Sequence, residues 1–310
     1  MQNWQPSASI ENLKKRAQII AQIRDFFAAR RVLEVETPLL SSATVTDVNL
    51  HSLKTHCKNL GDLYLQTSPE YAMKRLLAAD SGSIYQICKA FRDDESGRLH
   101  NPEFTILEWY RVGFNHHQLM DEMDKLLQLI LSGARATRYS YQEIFEKFLQ
   151  VNPHKADIKV LQKCAHEHGI DVEVDDKDTW LQLLMSEIIE PKLKATVFVY
   201  DYPASQAALA KIRKAKFPVA ERFEVYVDGI ELANGFHELQ DAREQRQRFL
   251  HDLKKREKLG YPKIPIDENF LASLEHGLPA CAGVALGIDR LIMLALDANH
   301  IDQVIYNTKS

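Results

Sequence analysis

The sequence predicts an α+β fold, an antiparallel β-sheet flanked by helices. Three observations carry this. Arg222–Val227 and Ile230–Phe236 flank Asp228-Gly229, the dipeptide that best suits a two-residue hairpin turn. Ile84–Phe91 and Phe104–Val112 alternate in polarity and are joined by a polar loop at 93–103, so a second antiparallel pair is expected. No strand-GxGxxG-helix unit appears near the start, which argues against a dinucleotide-binding parallel sheet.

The elements follow in order. Leu13, Ile20, Ile23 and Phe27 share one face of a helix over about 9–30, with Ser9 as its N-cap. Val32–Thr37 alternates and is stopped by Pro38. Leu63–Thr67 is a short strand running into Ser68-Pro69-Glu70, where Ser68 is the expected N-cap, Pro69 the first helical residue and Glu70 the acidic residue of the first turn. Leu119, Met123, Leu126, Leu127 and Ile130 mark a helix ending near Gly133. A helical block spans about 139–193, opening on the capping box Ser140-Tyr141-Gln142-Glu143 and closing at Glu190-Pro191. Strand Thr196–Asp201 follows. Charged helices are expected over 241–259 and 267–276, and Gly283–Gly287 leads into an apolar helix.

Composition narrows the class. Of 310 residues, 45% are hydrophobic and 26% charged, enough for a core and too ordered in pattern for a disordered chain. The longest apolar run, Leu291–Leu296, is far short of the ~20 residues of a membrane span, and no secretory signal is visible, so a cytoplasmic location is expected. Four scattered cysteines form no Cys-x-x-Cys pair. The formal net charge of −4 gives no general case for nucleic-acid binding. His116-His117 reads as a surface or capping pair. Lys211–Lys216 and the charged helix from Asp241 are candidate docking surfaces for a protein acceptor, or solvated charged faces.

Three constellations could carry chemistry. Arg92 ends one strand, and the return strand aligns Phe104, Ile106, Glu108 and Tyr110 on one face. A guanidinium suits phosphate or carboxylate and Phe104 can stack on a flat base; alternatively Arg92 and Glu108 are a salt bridge across the pair. In the hairpin, Tyr226 should oppose Glu231, with Glu224 diagonal to it on the same face. Two carboxylates unpaired by a base repel unless a cation sits between them, and Mg²⁺ shared with phosphate is one answer; two solvent-facing glutamates are the other. Last, Gly283-Val284-Ala285-Leu286-Gly287-Ile288-Asp289-Arg290 places an arginine in the first turn of a helix behind a glycine-punctuated strand, an arrangement suited to an anion.

In that order, the three resemble the signature elements of class II aminoacyl-tRNA synthetases, and Pro38 resembles the first element, which in that family builds the dimer interface. Thr67-Ser68-Pro69-Glu70, His100–Phe104 and Glu231–Glu238 are similar to the lysyl branch. The resemblance covers roughly residues 10–305. Lysyl enzymes carry an N-terminal anticodon-binding domain; fewer than ten residues precede the first helix here, so one catalytic domain over 1–310, with a helical insertion at about 139–193, is expected. That description fits the elongation factor P–lysine ligases, which attach (R)-β-lysine to a lysine of elongation factor P. The segments Glu221–Val225 and Gly283–Gly287 resemble that family.

The resemblance implies an ATP- and Mg²⁺-dependent ligase that activates (R)-β-lysine or lysine, with elongation factor P as partner, a homodimer, and no tRNA substrate. It implies that Arg92 and Arg290 serve catalysis and bind phosphate, and that Asp93, Asp94, His100, Asn101, Phe104, Glu231, Leu232 and Gly287 contact ATP. Glu224 and Glu231 would hold Mg²⁺. Ser68, Glu70, Glu108, Tyr110, Asn234, Phe236, Glu238 and Ala285 would line an acidic amino-acid pocket, with Glu238 on the distal ammonium. Departures exist. The usual Arg-x-Glu is here Arg92-Asp93-Asp94-Glu95, Leu99 rather than arginine precedes His100, and Ala285 stands where lysyl enzymes have glycine. Strict alternation puts Asn234, Phe236 and Glu238 on the face opposite Glu231, so a bulge near Gly235 is expected. A truncated lysyl-tRNA synthetase and a non-catalytic ATP- or lysine-binding paralogue are the alternatives.

Overall fold

The computed structural model describes residues 4–93 and 95–306. The chain divides into two compact units, residues 1–114 with 240–310 and residues 115–239. It begins with α1 (Ile10–Ala28), β1 (Leu33–Glu34), β2 (Leu40–Ser41), β3 (Lys54–Cys57), β4 (Gly61–Leu65), α2 (Glu70–Ala78), β5 (Ile84–Phe91) and β6 (Glu103–Val112). The second unit holds α3 (His116–Leu131), β7 (Thr137–Ser140), α4 (Tyr141–Leu149), α5 (Ile158–Glu167), α6 (Lys177–Leu184), β8 (Thr196–Pro203), β9 (Ile212–Arg213), β10 (Val219–Val227) and β11 (Ile230–His237). The chain then returns to the first unit with α7 (Ala242–Lys258), α8 (Glu268–Gly277), β12 (Cys281–Gly287) and α9 (Ile288–Ala295).

In the first unit the strand order is β1-β5-β6-β12, and β2-β4-β3 forms a small separate sheet. The pairs β5–β6 and β6–β12 are antiparallel, and β1 joins β5 in parallel. Phe27 stacks on Tyr85 at 4.5 Å between ring centroids and meets Trp109 edge-on at 5.3 Å, so α1 covers one face of this sheet with aromatic area. In the second unit the order is β11-β10-β8-β7, with β9 on β10. Tyr141, Phe145, Trp180, Leu181 and Leu184 from α4 and α6 pack in a cluster that includes Val197, Val199 and Tyr202 of β8.

The α+β architecture is as expected, and so are the Asp228-Gly229 turn and the capping box of Ser140 with Glu143. Asp228 and Gly229 both have positive φ, 49° and 79°, as the turn requires. A Cβ on Gly229 would stand 2.8 Å from the Glu190 carbonyl oxygen, so the hairpin tip is seated on that backbone. Several details differ from expectation. β1 is only two residues long, and β2, β3 and β9 are too short to show a polarity pattern. Residues 137–140 form β7, parallel to β8, before the first helix of the block expected at 139–193. Pro69, not Ser68, is the N-cap position of α2, although Ser68 Oγ still accepts from the Glu70 amide at 3.1 Å. His116 is buried inside α3 rather than at its surface or cap; Asn115 makes the capping box with Gln118.

One buried ion pair locks the first unit. Asp289, 2% exposed, accepts from the Thr105 amide at 2.7 Å and meets Arg16 Nη1 at 2.6 Å, tying α1 and β6 to the start of α9. Arg16 also donates to Thr105 Oγ1 at 2.9 Å. Replacing Arg16 by methionine would leave the Asp289 charge buried without its cation. The expected loss is about 3–5 kcal/mol of unfolding free energy, measured by urea denaturation.

Candidate active site

In the first unit β6 presents Glu108 and Tyr110 on one face, and β12 sets Ala285 directly opposite Glu108 and Gly283 opposite Tyr110. Glu108 is 2% exposed. Ser68 Oγ donates to its Oε2 at 2.5 Å and the Tyr110 hydroxyl to its Oε1 at 2.6 Å, so both carboxylate oxygens are held in place. Burial, then the charge of Glu70, pushes the Glu108 carboxyl up to about 7. The Arg92–Glu108 salt bridge left open by the sequence is not formed.

Glu70 brings a partner that the pattern did not reveal. Lys74, 1% exposed and one turn along α2, places Nζ 2.6 Å from Glu70 Oε1. The lining expected to be acidic is therefore partly neutralised by a buried lysine. Lys74 also lies 5.8 Å from the Phe270 ring centroid, and Tyr71 stacks on that ring at 4.4 Å.

Arg92 follows β5, and its guanidinium sits 5.0 Å from the Phe104 ring centroid, so the arginine and the aromatic expected for phosphate and base do come together. Arg92 Nη1 meets Glu95 Oε1 at 3.3 Å, so among the described residues Glu95 is a carboxylate beside this arginine. Asp93 is exposed and its amide donates to the His51 carbonyl at 2.8 Å; Asp94 lies outside the described residues. Asn101 Nδ2 donates to the Glu103 carbonyl at 2.6 Å, bracing the loop. Gly287 is the N-cap of α9, and Arg290 Nη2 contacts His100 Nε2 at 2.5 Å while Nε donates to the Leu99 carbonyl at 3.3 Å. Burial and the neighbouring Arg290 hold His100 below the usual histidine range, leaving a neutral ring that can accept from the guanidinium.

In the second unit the hairpin register is as expected at its tip, with Tyr226 opposite Glu231 and Val227 opposite Ile230. Val225 then pairs with Ala233, so Leu232 is an extra residue on β11. The bulge lies at Leu232, three positions before the expected Gly235. It reverses the parity, and Asn234 and Phe236 now oppose Glu224 and Arg222 on the Glu231 face. Glu238 is buried just beyond β11, and its backbone bridges Ala210.

Glu224 is not the unpaired carboxylate inferred from the pattern. Arg222 Nη2 binds its Oε1 at 2.5 Å, and the hydroxyls of Tyr202 and Tyr226 both donate to its Oε2. Arg222 Nε also donates to Asn234 Oδ1 at 3.1 Å. A further carboxylate escaped sequence reasoning. Glu190 Oε1 lies 3.3 Å from the Tyr226 hydroxyl, and burial, then the charges of Glu224 and Glu231, pushes its carboxyl up to about 7. Glu190, Glu224 and Glu231 are close enough to act on one another, with Arg222 among them. Oxygen donors so grouped fit a hard divalent cation. No sequence pattern marked Glu190; its place is seen only in the fold, where a Cβ on Gly229 would stand 2.8 Å from its carbonyl oxygen.

Comparison with known proteins covers nearly the whole chain. A family model described as "tRNA synthetases class II (D, K and N)" matches residues 3–310. A Vibrio cholerae protein named "Elongation factor P--(R)-beta-lysine ligase" is 58% identical over 97% of this chain and 96% of its own. Proteins of the same name from Vibrio parahaemolyticus and Edwardsiella ictaluri are 57% and 55% identical, over 97% and 98% of this chain and 97% of each relative.

The raised Glu190 carboxyl has a consequence for stability. Its folded value near 7 lies above the ~4.3 of an unfolded chain, so its contribution is greatest at low pH and is lost as pH rises through about 7. In chelator, Glu190→Gln should raise the melting temperature relative to the parent at pH 8. That gain should shrink as pH falls to 5, as read by thermal denaturation at both pH values.

Proposed function

We infer the function of a chain that belongs to the class II tRNA synthetases (D, K and N), in the branch of the elongation factor P–(R)-β-lysine ligases. It is an ATP-dependent ligase that activates (R)-β-lysine, or lysine, as an aminoacyl-adenylate and transfers it to a lysine side chain of elongation factor P. The observation that carries this reading is 58% identity to a ligase of that name over nearly the full length of both chains. A tRNA-charging enzyme and a non-catalytic paralogue are less well supported, since full-length relatives bear the ligase name and Arg92, Arg290, Glu224 and Glu231 are all present.

In this reading Arg92 holds the α-phosphate and the amino-acid carboxylate, and Arg290 the terminal phosphates. Asn101 and Phe104 hold adenine, the free face of the ring stacking on the base, with His100, Asp93, Glu231, Leu232 and Gly287 as further contacts. Leu232 suits a backbone contact because a bulged residue is released from the strand ladder. Glu224 and Glu231 would hold Mg²⁺, which would supply positive charge against the phosphates. Glu108 and Glu70, with Ser68, Tyr110, Asn234, Phe236 and Glu238, receive the two ammonium groups.

The substrate carboxylate oxygen attacks the α-phosphorus, and the bond to the bridging oxygen breaks, releasing pyrophosphate. The acceptor lysine amine then attacks the activated carbonyl, loses a proton and expels AMP, leaving an amide. Positioning and charge neutralisation supply the first step, so no protein nucleophile is needed. A homodimer and a cytoplasmic location complete the reading; among the described residues no helix is long and apolar enough to cross a membrane.

Three outcomes are expected. With ATP, Mg²⁺ and (R)-β-lysine, intact-mass analysis should show elongation factor P gaining one lysyl unit while lysine tRNA stays uncharged. Charged tRNA with an unmodified factor would overturn the reading. Because burial pushes the Glu108 carboxyl up to about 7, the KM for the amino acid should rise as pH falls below about 7, with that of ATP little changed; Glu108→Gln should bind the amino acid weakly at every pH. Finally, the methyl group of Ala285 lies directly across from Glu108. Ala285→Gly should improve use of α-lysine relative to (R)-β-lysine, and unchanged relative kcat/KM would remove Ala285 from the specificity argument.

A further inference from the structure

The residues next to Arg222 and Phe236 point to the other face of β10 and β11. There Glu221 and His237 stand side by side, with Glu221 Oε2 2.5 Å from His237 Nδ1. α3 brings His116 to them. One ring nitrogen of His116, one of His237 and one carboxylate oxygen of Glu221 lie within 4.8 Å of one another. None of these residues is assigned above to ATP, Mg²⁺ or the amino acid.

We propose that His116, Glu221 and His237 bind a divalent transition-metal ion of the zinc type. His116 carries the argument. Its side chain is nearly fully buried, at 1% exposure, and neither ring nitrogen makes a hydrogen bond among the described residues. Its Nε2 stands 3.4 Å from Asp201 Oδ1, outside the ordinary 2.7–3.2 Å range, and that oxygen is also without a hydrogen bond. A neutral imidazole has one N–H, so at least one lone pair inside this cluster meets no donor. Buried polar atoms are seldom left this way, and a metal ion is one of the few partners that uses such a lone pair.

The donor set selects the ion. Two imidazoles and a carboxylate match zinc-like ions and not Mg²⁺, which prefers oxygen. Asp201 beside His116 is placed as the outer carboxylate that orients a metal-bound imidazole. Arg213 now occupies the cation's role: it is ion-paired with Asp201 and, through Nη1 at 3.3 Å, with Glu221 Oε1. Its side chain is 40% exposed, so it can withdraw into solvent and release Glu221 to the metal. Three protein ligands leave one position for water.

The test uses the full chain, stripped of metal with chelator and titrated with Zn²⁺ in excess Mg²⁺ by calorimetry. Co²⁺ absorption serves as an independent report of nitrogen ligation. One ion per chain is expected. His237→Gln and His116→Gln should each weaken binding by more than the ~10–100-fold that loss of an outer-shell partner costs. Arg213→Gln should bind as tightly or more tightly, because it removes the competing cation. Absence of stoichiometric binding by the parent, or binding that His237→Gln leaves unchanged, would overturn the proposal. Because the His237 ring is at the edge of the cluster, with 16% of its side chain exposed, that variant decides the matter even if His116→Gln does not fold.

Discussion

One inserted residue, Leu232, governs what the second unit can present. In a regular strand the side-chain period of two would turn Asn234 and Phe236 away from Glu231. The bulge restores them to the face of Arg222, Glu224 and Tyr226, and this is why Arg222 can bridge Glu224 and Asn234 at once. The hairpin tip holds that register. Asp228 and Gly229 adopt positive φ, and Gly229 is pressed onto the Glu190 carbonyl, which also carries the third carboxylate to the group.

The charged groups divide by what surrounds them. Asp289 has a guanidinium and an amide, and serves the fold. Glu108 and Glu190 have hydroxyl donors but face further carboxylates, and both are pushed up to about 7. Carboxyls so placed weaken the folded protein when ionised. In the proposed function an incoming ammonium group or metal ion relieves that cost at the same residues. In the first unit the Arg92 guanidinium lies over Phe104 beside Glu95, and Arg290 contacts His100, whose ring is held neutral.

The sequence made much of this legible. Asp228-Gly229 located the hairpin and, with it, the opposition of Tyr226 and Glu231. Alternation located β5 and β6, and with them the shared face of Glu108 and Tyr110. Other features had no local signature. β2, β3 and β7 are two to four residues long, too short for periodicity to register. The bulge changes pairing without changing composition, so its position at Leu232 could not be read. Nothing local marked Lys74 and Arg222 as partners of Glu70 and Glu224, since burial of these pairs depends on the fold. His116 looked exposed because its buried surroundings come from β8, β10 and β11, far along the chain.

In the proposed function these arginines and carboxylates activate a diamino acid on ATP before any acceptor is engaged. Exchange of labelled pyrophosphate into ATP, measured without elongation factor P, tests it most directly. The account predicts exchange that depends on (R)-β-lysine and is abolished in Arg92→Ala. Exchange that appears without any amino acid, or no exchange while the factor is still modified, would contradict it.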